Sequence, residues 1–142
     1  MIIDAQLMFS DAQALVATAA STNIYDAGSD RNLGLGERLS IQVTVDVAAV
    51  AGTLTISLQT DDNSGFASPT TVATTAAIAA AALTLGAKVI LPVPPDTAVE
   101  RYLRLMYTFA GMTSVTVTAF LTPASFTSSE GVYYADAITI TG

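Results

Sequence analysis

The sequence predicts an all-β protein: one antiparallel β-sandwich of jelly-roll type. Two observations carry that expectation. Apolar and polar residues alternate over residues 39–47, 53–60 and 113–121, the period of a strand with one face in a core. Turn formers separate these stretches at about ten-residue spacing with no helical pattern between them, which points to a sandwich and removes a TIM barrel or a Rossmann fold. A chain of 142 residues is the size of one domain and long enough to bury a sizeable core.

Residues 1–20 read as an N-terminal arm or edge segment. Asp-Ala-Gln occurs at 4–6 and again at 11–13 without continuing as a repeat. Alanine and leucine would permit a short helix, but Ile2, Ile3, Phe9, Val16 and Thr18 favour an extended form. The sandwich proper is expected over 21–122. Residues 21–32 are rich in Ser, Asn, Asp and Gly, and Gly34 and Gly36 extend this loop. The strands over 39–47 and 53–60, joined by a small-residue turn at 50–52, are expected to be sequential antiparallel neighbours. A turn at Asp61-Asp62-Asn63-Ser64-Gly65 and a short strand over 70–74 follow. The alanine-rich run 76–83 is too short for an independent helix and should lie on the surface with at most one helical turn.

Lys88-Val89-Ile90-Leu91 forms a strand that runs into the rigid turn Pro92-Val93-Pro94-Pro95-Asp96. The main core strand then spans 99–109, with Leu103, Leu105, Tyr107 and Phe109 in one apolar row. Arg101 and Arg104 lie in the same strand, two of only five basic residues in the chain. A guanidinium there must reach water or a carboxylate, so both are expected to make structural ion pairs with Glu100, Asp96 or another local carboxylate, or else to contact a neighbouring subunit. Pro123 closes the pattern, and 123–142 reads as a C-terminal extension. Its Tyr133 and Tyr134 are candidate contact residues, with a covered edge of the same domain as the alternative.

Composition narrows function. Only 12% of residues are charged while 51% are hydrophobic, about half the usual charged fraction, so much of the surface must be Ser, Thr, Ala and Gly and suits packing against protein. The net charge of −7 argues against nucleic acid as a partner. The chain has no Cys and no His, and therefore no thiolate nucleophile, no thiolate zinc site and neither the commonest metal ligand nor the commonest general base. No catalytic, cofactor-binding or metal-ligating residue is expected, and the protein should not be an enzyme. Asp61-Asp62-Asn63-Ser64-Gly65 invites a calcium reading, but the EF-hand spacing is not met and a solvated turn explains it. Gly34-Leu35-Gly36 lacks the strand-to-helix context of a phosphate loop. No membrane span is expected, and the N-terminus lacks the cationic region of a secretory signal, which places the chain in the cytoplasm where it is made.

Residues 4–13, the stretch from Leu58-Gln59-Thr60 through Gly65-Phe66, the stretch from Pro92 through Glu100-Arg101-Tyr102-Leu103-Arg104-Leu105 to Tyr107, and Val117-Thr118-Ala119-Phe120-Leu121 together resemble the jelly-roll capsid cement, or decoration, proteins of tailed bacteriophages. The resemblance covers residues 1 to about 122, and 123–142 extend beyond the family's usual end. It implies a homotrimer on the exterior of the mature capsid in the virion, made in the host bacterial cytoplasm, with the major capsid protein as partner and no cofactor. Leu7, Met8 and Phe9, three consecutive apolar residues that are costly to leave in water, then read as contacts to the capsid or to a neighbouring subunit, on an arm whose removal should leave the fold intact. Two rivals remain: a carbohydrate-binding or host-attachment β-sandwich, which needs an exposed aromatic platform, and a hydrolase built from carboxylates alone, which needs them clustered.

Overall fold

The computed structural model describes residues 4–33 and 36–124. A single 3₁₀ turn, Ala5–Leu7, opens the chain, capped by the Asp4 carboxylate, which accepts the Gln6 amide proton at 2.9 Å. Twelve strands follow. They are β1 (Met8–Leu15), β2 (Ala19–Ala20), β3 (Tyr25–Asp26), β4 (Arg31–Leu33), β5 (Leu39–Val50), β6 (Thr53–Asp61), β7 (Thr70–Thr74), β8 (Ile78–Ala79), β9 (Lys88–Pro92), β10 (Thr97–Val99), β11 (Tyr102–Ala110) and β12 (Ser114–Pro123). No helix among the described residues is long and apolar enough to cross a membrane.

All the pairings are antiparallel. One sheet has the order β1-β12-β5-β9 and the other β2-β11-β6-β7, with β3 added to β11 and β8 to β6; β4 and β10 form a separate ribbon. Setting aside the short strands β3, β4, β8 and β10, first pairs with last (β1 with β12), second with second-last (β2 with β11), and so inward through β5 with β9 to β6 with β7. That nesting is a long antiparallel ribbon rolled into two facing sheets, the jelly roll.

The core is the contact between the two inner faces. Ile41, Val43 and Val45 of β5 and Val115, Val117 and Ala119 of β12 meet Leu54, Ile56 and Leu58 of β6 and Leu103, Leu105 and Tyr107 of β11, all buried. Phe109, expected in the same row, is only half-buried against this cluster.

β5 and β6 are not paired neighbours. They belong to opposite sheets, β5 lying between β12 and β9 while β6 lies beside β11, β7 and β8. A paired hairpin would put both apolar rows on one face; here the rows must oppose each other across the core. The corner is made by Ala51 and Gly52, both with positive φ. It packs against the corner between β11 and β12, so closely that a Cβ on Gly52 would overlap the Met112 amide nitrogen and the Gly111 carbonyl carbon. Positive φ and close backbone approach both favour glycine there.

Residues 8–15 form an edge strand and not a free arm. β1 pairs with β12, with register shifts between Met8 and Ser10 and between Ser10 and Gln13. These bulges turn both Phe9 and Ser10 inward, and the two are 1% and 0% exposed. Ser10 Oγ lies 2.8 Å from the buried Tyr107 hydroxyl on the opposite sheet and donates to Gln13 Oε1 at 2.7 Å. Since the serine proton goes to Gln13, Tyr107 is the donor to Ser10. Gln13 in turn donates to the Ala20 carbonyl and accepts the Thr22 amide proton. Burial pushes the Tyr107 phenol well above its ordinary value, which keeps it protonated to make this bond.

The alanine-rich run behaves as its length requires: β8 leads into one 3₁₀ turn, Ala80–Ala82, which ends on buried Leu83.

Truncating Phe9 to Ala should cost about 3–5 kcal/mol, the range for emptying an aromatic site in a core, measured by urea unfolding. Removing residues 1–10 should therefore unfold the sandwich. Tyr107→Phe keeps the ring and removes one buried hydrogen bond, for an expected loss of about 1 kcal/mol. Gly52→Ala should destabilise more than Tyr107→Phe, because its Cβ meets backbone that cannot move aside.

Candidate functional site

Ionisable chemistry gathers at one end of the sandwich, where β11 begins and β6 ends. Nine residues of β11, Tyr102 to Ala110, pair in unbroken register with Asp61 to Thr53, so Tyr102 faces Asp61 and Arg104 faces Gln59. β3 joins the same end of β11 through the Tyr102 and Asp26 pair.

Arg101 makes an ion pair with Asp26, distant in the sequence from the local carboxylates expected for it. The pairing is bidentate, Nε to Oδ1 at 2.9 Å and the second nitrogen to Oδ2 at 3.0 Å, with both side chains 46% exposed. The Arg101 hydrogen bond, with a further one from the Gly28 amide, holds the Asp26 carboxyl down to about 2. The guanidinium also lies 5.0 Å from the centre of the Tyr102 ring.

Arg104 is held differently from the expected ion pair. Its Nε donates to Gln59 Oε1 at 2.9 Å, and its guanidinium lies 4.3 Å from the centre of the Phe66 ring. Phe66 is buried and has a positive φ, at the end of a turn closed by its amide donating to the Asn63 carbonyl. A carboxylate is unnecessary there because a cross-strand amide and an aromatic face satisfy the cation.

The turn 61–65 is more structured than a solvated loop. Asp61 is 2% exposed. Its Oδ1 accepts the Asn63 amide proton at 3.0 Å and its Oδ2 that of Ser68 at 2.8 Å, so one carboxylate pins the whole 62–68 loop. These hydrogen bonds, that of Asn63 first, lower the Asp61 carboxyl below its ordinary value, while the adjoining Asp61 raises that of Asp62.

Glu100, placed by its own amide donating to the Thr60 hydroxyl at 2.8 Å, completes a group in which carboxylate oxygens of Asp61, Asp62 and Glu100 lie within 4.8 Å of one another. Glu100 joins Asp61 and Asp62 only through the β6–β11 register, so the trio has no signature in the local sequence. Three such oxygens fall short of the six to eight that calcium takes, and both oxygens of Asp61 are already engaged. The trio is also outside the two grooves on this part of the surface.

One of those grooves, of about 370 Å³, is lined by Arg38, Leu39, Ile90 and the turn prolines 92, 94 and 95, and ends at Ala124. The other, of about 280 Å³, lies between Gln6, Ile24, Tyr25 and Asp26.

Of the expected contact residues, Phe9 is a core residue, and Leu7 and Met8 are half-buried beside it. A free capsid-binding arm at Leu7, Met8 and Phe9 is therefore replaced by an edge strand whose side chains are used by the domain itself. Tyr133 and Tyr134 lie outside the described residues. No described aromatic side chain is exposed.

The family model for Bbp16 matches residues 9–122, from the first core residue of β1 to the second-last residue of β12. The chain belongs to the Bbp16 family. It is a phage-associated protein. No curated protein matches it.

The Asp26 pairing fixes a pH dependence. A carboxyl whose folded value is about 2 against an ordinary 3.8 contributes stability that is complete above the ordinary value and is lost as pH falls toward 2. Asp61 acts in the same direction and Asp62 in the opposite one, so the useful quantity is a difference. Urea midpoints of the wild type and of Asp26→Asn measured from pH 5 down to pH 2 should converge, the variant losing less stability than the wild type.

Proposed function

We propose that this protein is a structural capsid cement, or decoration, protein. It binds the exterior of the mature phage capsid as a homotrimer and bridges neighbouring major capsid protein subunits, with no catalytic activity and no cofactor. The observation that carries this reading is the coincidence of the Bbp16 family match with the whole jelly-roll sandwich, a rigid module from a phage-associated family.

The fate of the reactive side chains supports it. Arg101, Arg104 and the buried Asp61 are spent on Asp26, Gln59, Phe66 and loop amides, which is how a chain uses charge to hold shape. A carbohydrate-binding module has less support, because the described aromatic side chains are buried or half-buried and form no platform for a sugar ring.

A cement protein stabilises a shell by binding the assembled form better than separated capsomers. Its contribution grows with occupancy, by about 2.7 kcal/mol per site at a hundredfold excess over Kd, and trimers multiply it through avidity. Capsids prepared without the protein should disassemble at a lower temperature than complete ones, and adding purified protein should restore the difference together with co-sedimentation. Protein that neither sediments with the capsids nor changes their melting would overturn the reading.

A further inference from the structure

The two ends of the sandwich differ completely in charge. The end described above holds all four arginines, the Asp61, Asp62 and Glu100 group, and Asp26, with Asp30 and Asp96 beside them. The opposite end is built from four stretches: residues 15–20, the β5–β6 corner over 47–55, the run 75–87, and the β11–β12 corner over 106–116. None of them contains Asp, Glu, Lys or Arg.

The register brings these stretches together. Leu15 lies opposite Val115, Val50 opposite Ser114 and Val47 opposite Thr116. The Ala49 amide donates to the Leu83 carbonyl, which carries the 83–87 loop alongside β5. The charges nearest to this end stop part-way along the first sheet. Lys88 faces Thr44, and Asp46 accepts from the hydroxyl of Thr118, which itself accepts the Ala12 amide proton beside Asp11.

Among the described residues, four of the five exposed large apolar side chains sit at this neutral end: Val16 at 76%, Val47 at 58%, Val50 at 54% and Leu85 at 74%. Around them the surface is alanine, glycine and threonine, side chains that let a second backbone approach closely. Exposed apolar side chains set among small uncharged residues suit contact with protein.

We propose that this charge-free end is where copies of the chain join one another, so that the charged ends point outward from the assembly. The inference rests on the homotrimer in the proposed function and names the surface that builds it. Charge selects the occupant. Among the described residues most acids lie at the far end, where Asp26, Asp30, Asp61, Asp62, Asp96 and Glu100 outnumber the four arginines, and copies meeting there would repel. Meeting through the neutral ends separates those charges by the length of the strands, roughly 40 Å for a twelve-residue strand such as β5, several times the screening length of about 8 Å at physiological salt. A strongly charged partner would find no counter-charge on this surface. A second copy presents the same neutral, apolar face.

The absence of cysteine supplies a mild test. V50C, L85C and I24C each carry a single thiol, the last at an exposed apolar side chain near the charged end. Treatment with a short bis-maleimide should link V50C and L85C into covalent dimers, the most that one thiol per chain allows, and leave I24C as single chains. In parallel, V50E/L85E should sediment as a monomer, with an unchanged circular dichroism spectrum, at micromolar concentrations where the wild type is associated. Covalent linking of I24C in place of V50C and L85C, or a folded V50E/L85E that keeps the wild-type mass, would overturn the proposal. If V50E/L85E fails to fold, the thiol variants decide alone. A wild type that is monomeric at these concentrations overturns both this surface and the trimer; an associated wild type that ignores capsids overturns only the capsid reading.

Discussion

The hydrogen bond between Tyr107 and Ser10 is the constraint on which the rest of the fold depends. A phenol buried at the centre of β11 needs a partner, and the core cluster it belongs to is apolar. The partner comes from the opposite sheet, and only because β1 is bulged at Ser10. That bulge turns Phe9 into the core as well, passes the serine proton to Gln13, and lets Gln13 tether the Ala20 carbonyl and the Thr22 amide. One polar contact thus sets the register of an edge strand, the entry into the second sheet and the distance between the layers. Without disulfides, this network and the apolar contact around it must fix a single arrangement of two sheets whose packing alone would tolerate small slips.

The strands that build this core also sort the charge. Because β5, β6, β11 and β12 run the full length of the sandwich and reverse at the Ala51-Gly52 and Gly111-Met112 corners, residues near those corners fall at one end and residues near Arg101 and Asp61 at the other. The charged end has the cross-strand partners that ions require, and the bidentate Asp26–Arg101 pair and the two amides on Asp61 are examples. The corners are dominated by tight backbone contact, as at Gly52 and Met112, where long solvated side chains have little room.

Much of this was legible in the chain. The alternation over 39–47, 53–60 and 113–121 marked real strands, and the row Leu103, Leu105, Tyr107 marked the core, because period-two burial is a local property. What was not legible is non-local. The exchange of sheets between β5 and β6 depends on which apolar rows face one another, and a hairpin with the same pattern reads identically. Phe9 looked available for a partner because a bulge shifts the face a residue occupies without changing composition. Arg101 finds Asp26 across 75 positions, and Glu100 reaches Asp61 only through a register set by nine cross-strand pairs. Arg104 misled in another way: a guanidinium has five donors and a flat face, so Gln59 and Phe66 serve where a carboxylate was expected.

Low charge and high apolar content make a free surface hazardous unless its geometry is controlled. At the edge of the first sheet, β9 shows such control. Alternate residues of this strand turn their backbone groups away from β5, and at that edge Pro92 offers no amide while Lys88 carries charge, both devices that discourage further strand pairing. The neutral end uses a different device. Its backbone is folded into corners, so it presents small side chains and a few separated valines and a leucine where an open strand would present a ladder. Such a surface resists indiscriminate β-pairing, and it gains from contact only where a complementary shape brings Val47, Val50 and Leu85 under cover together. For the assembly proposed above that separation is an advantage: the β9 edge is blocked, and contact through the neutral end depends on shape.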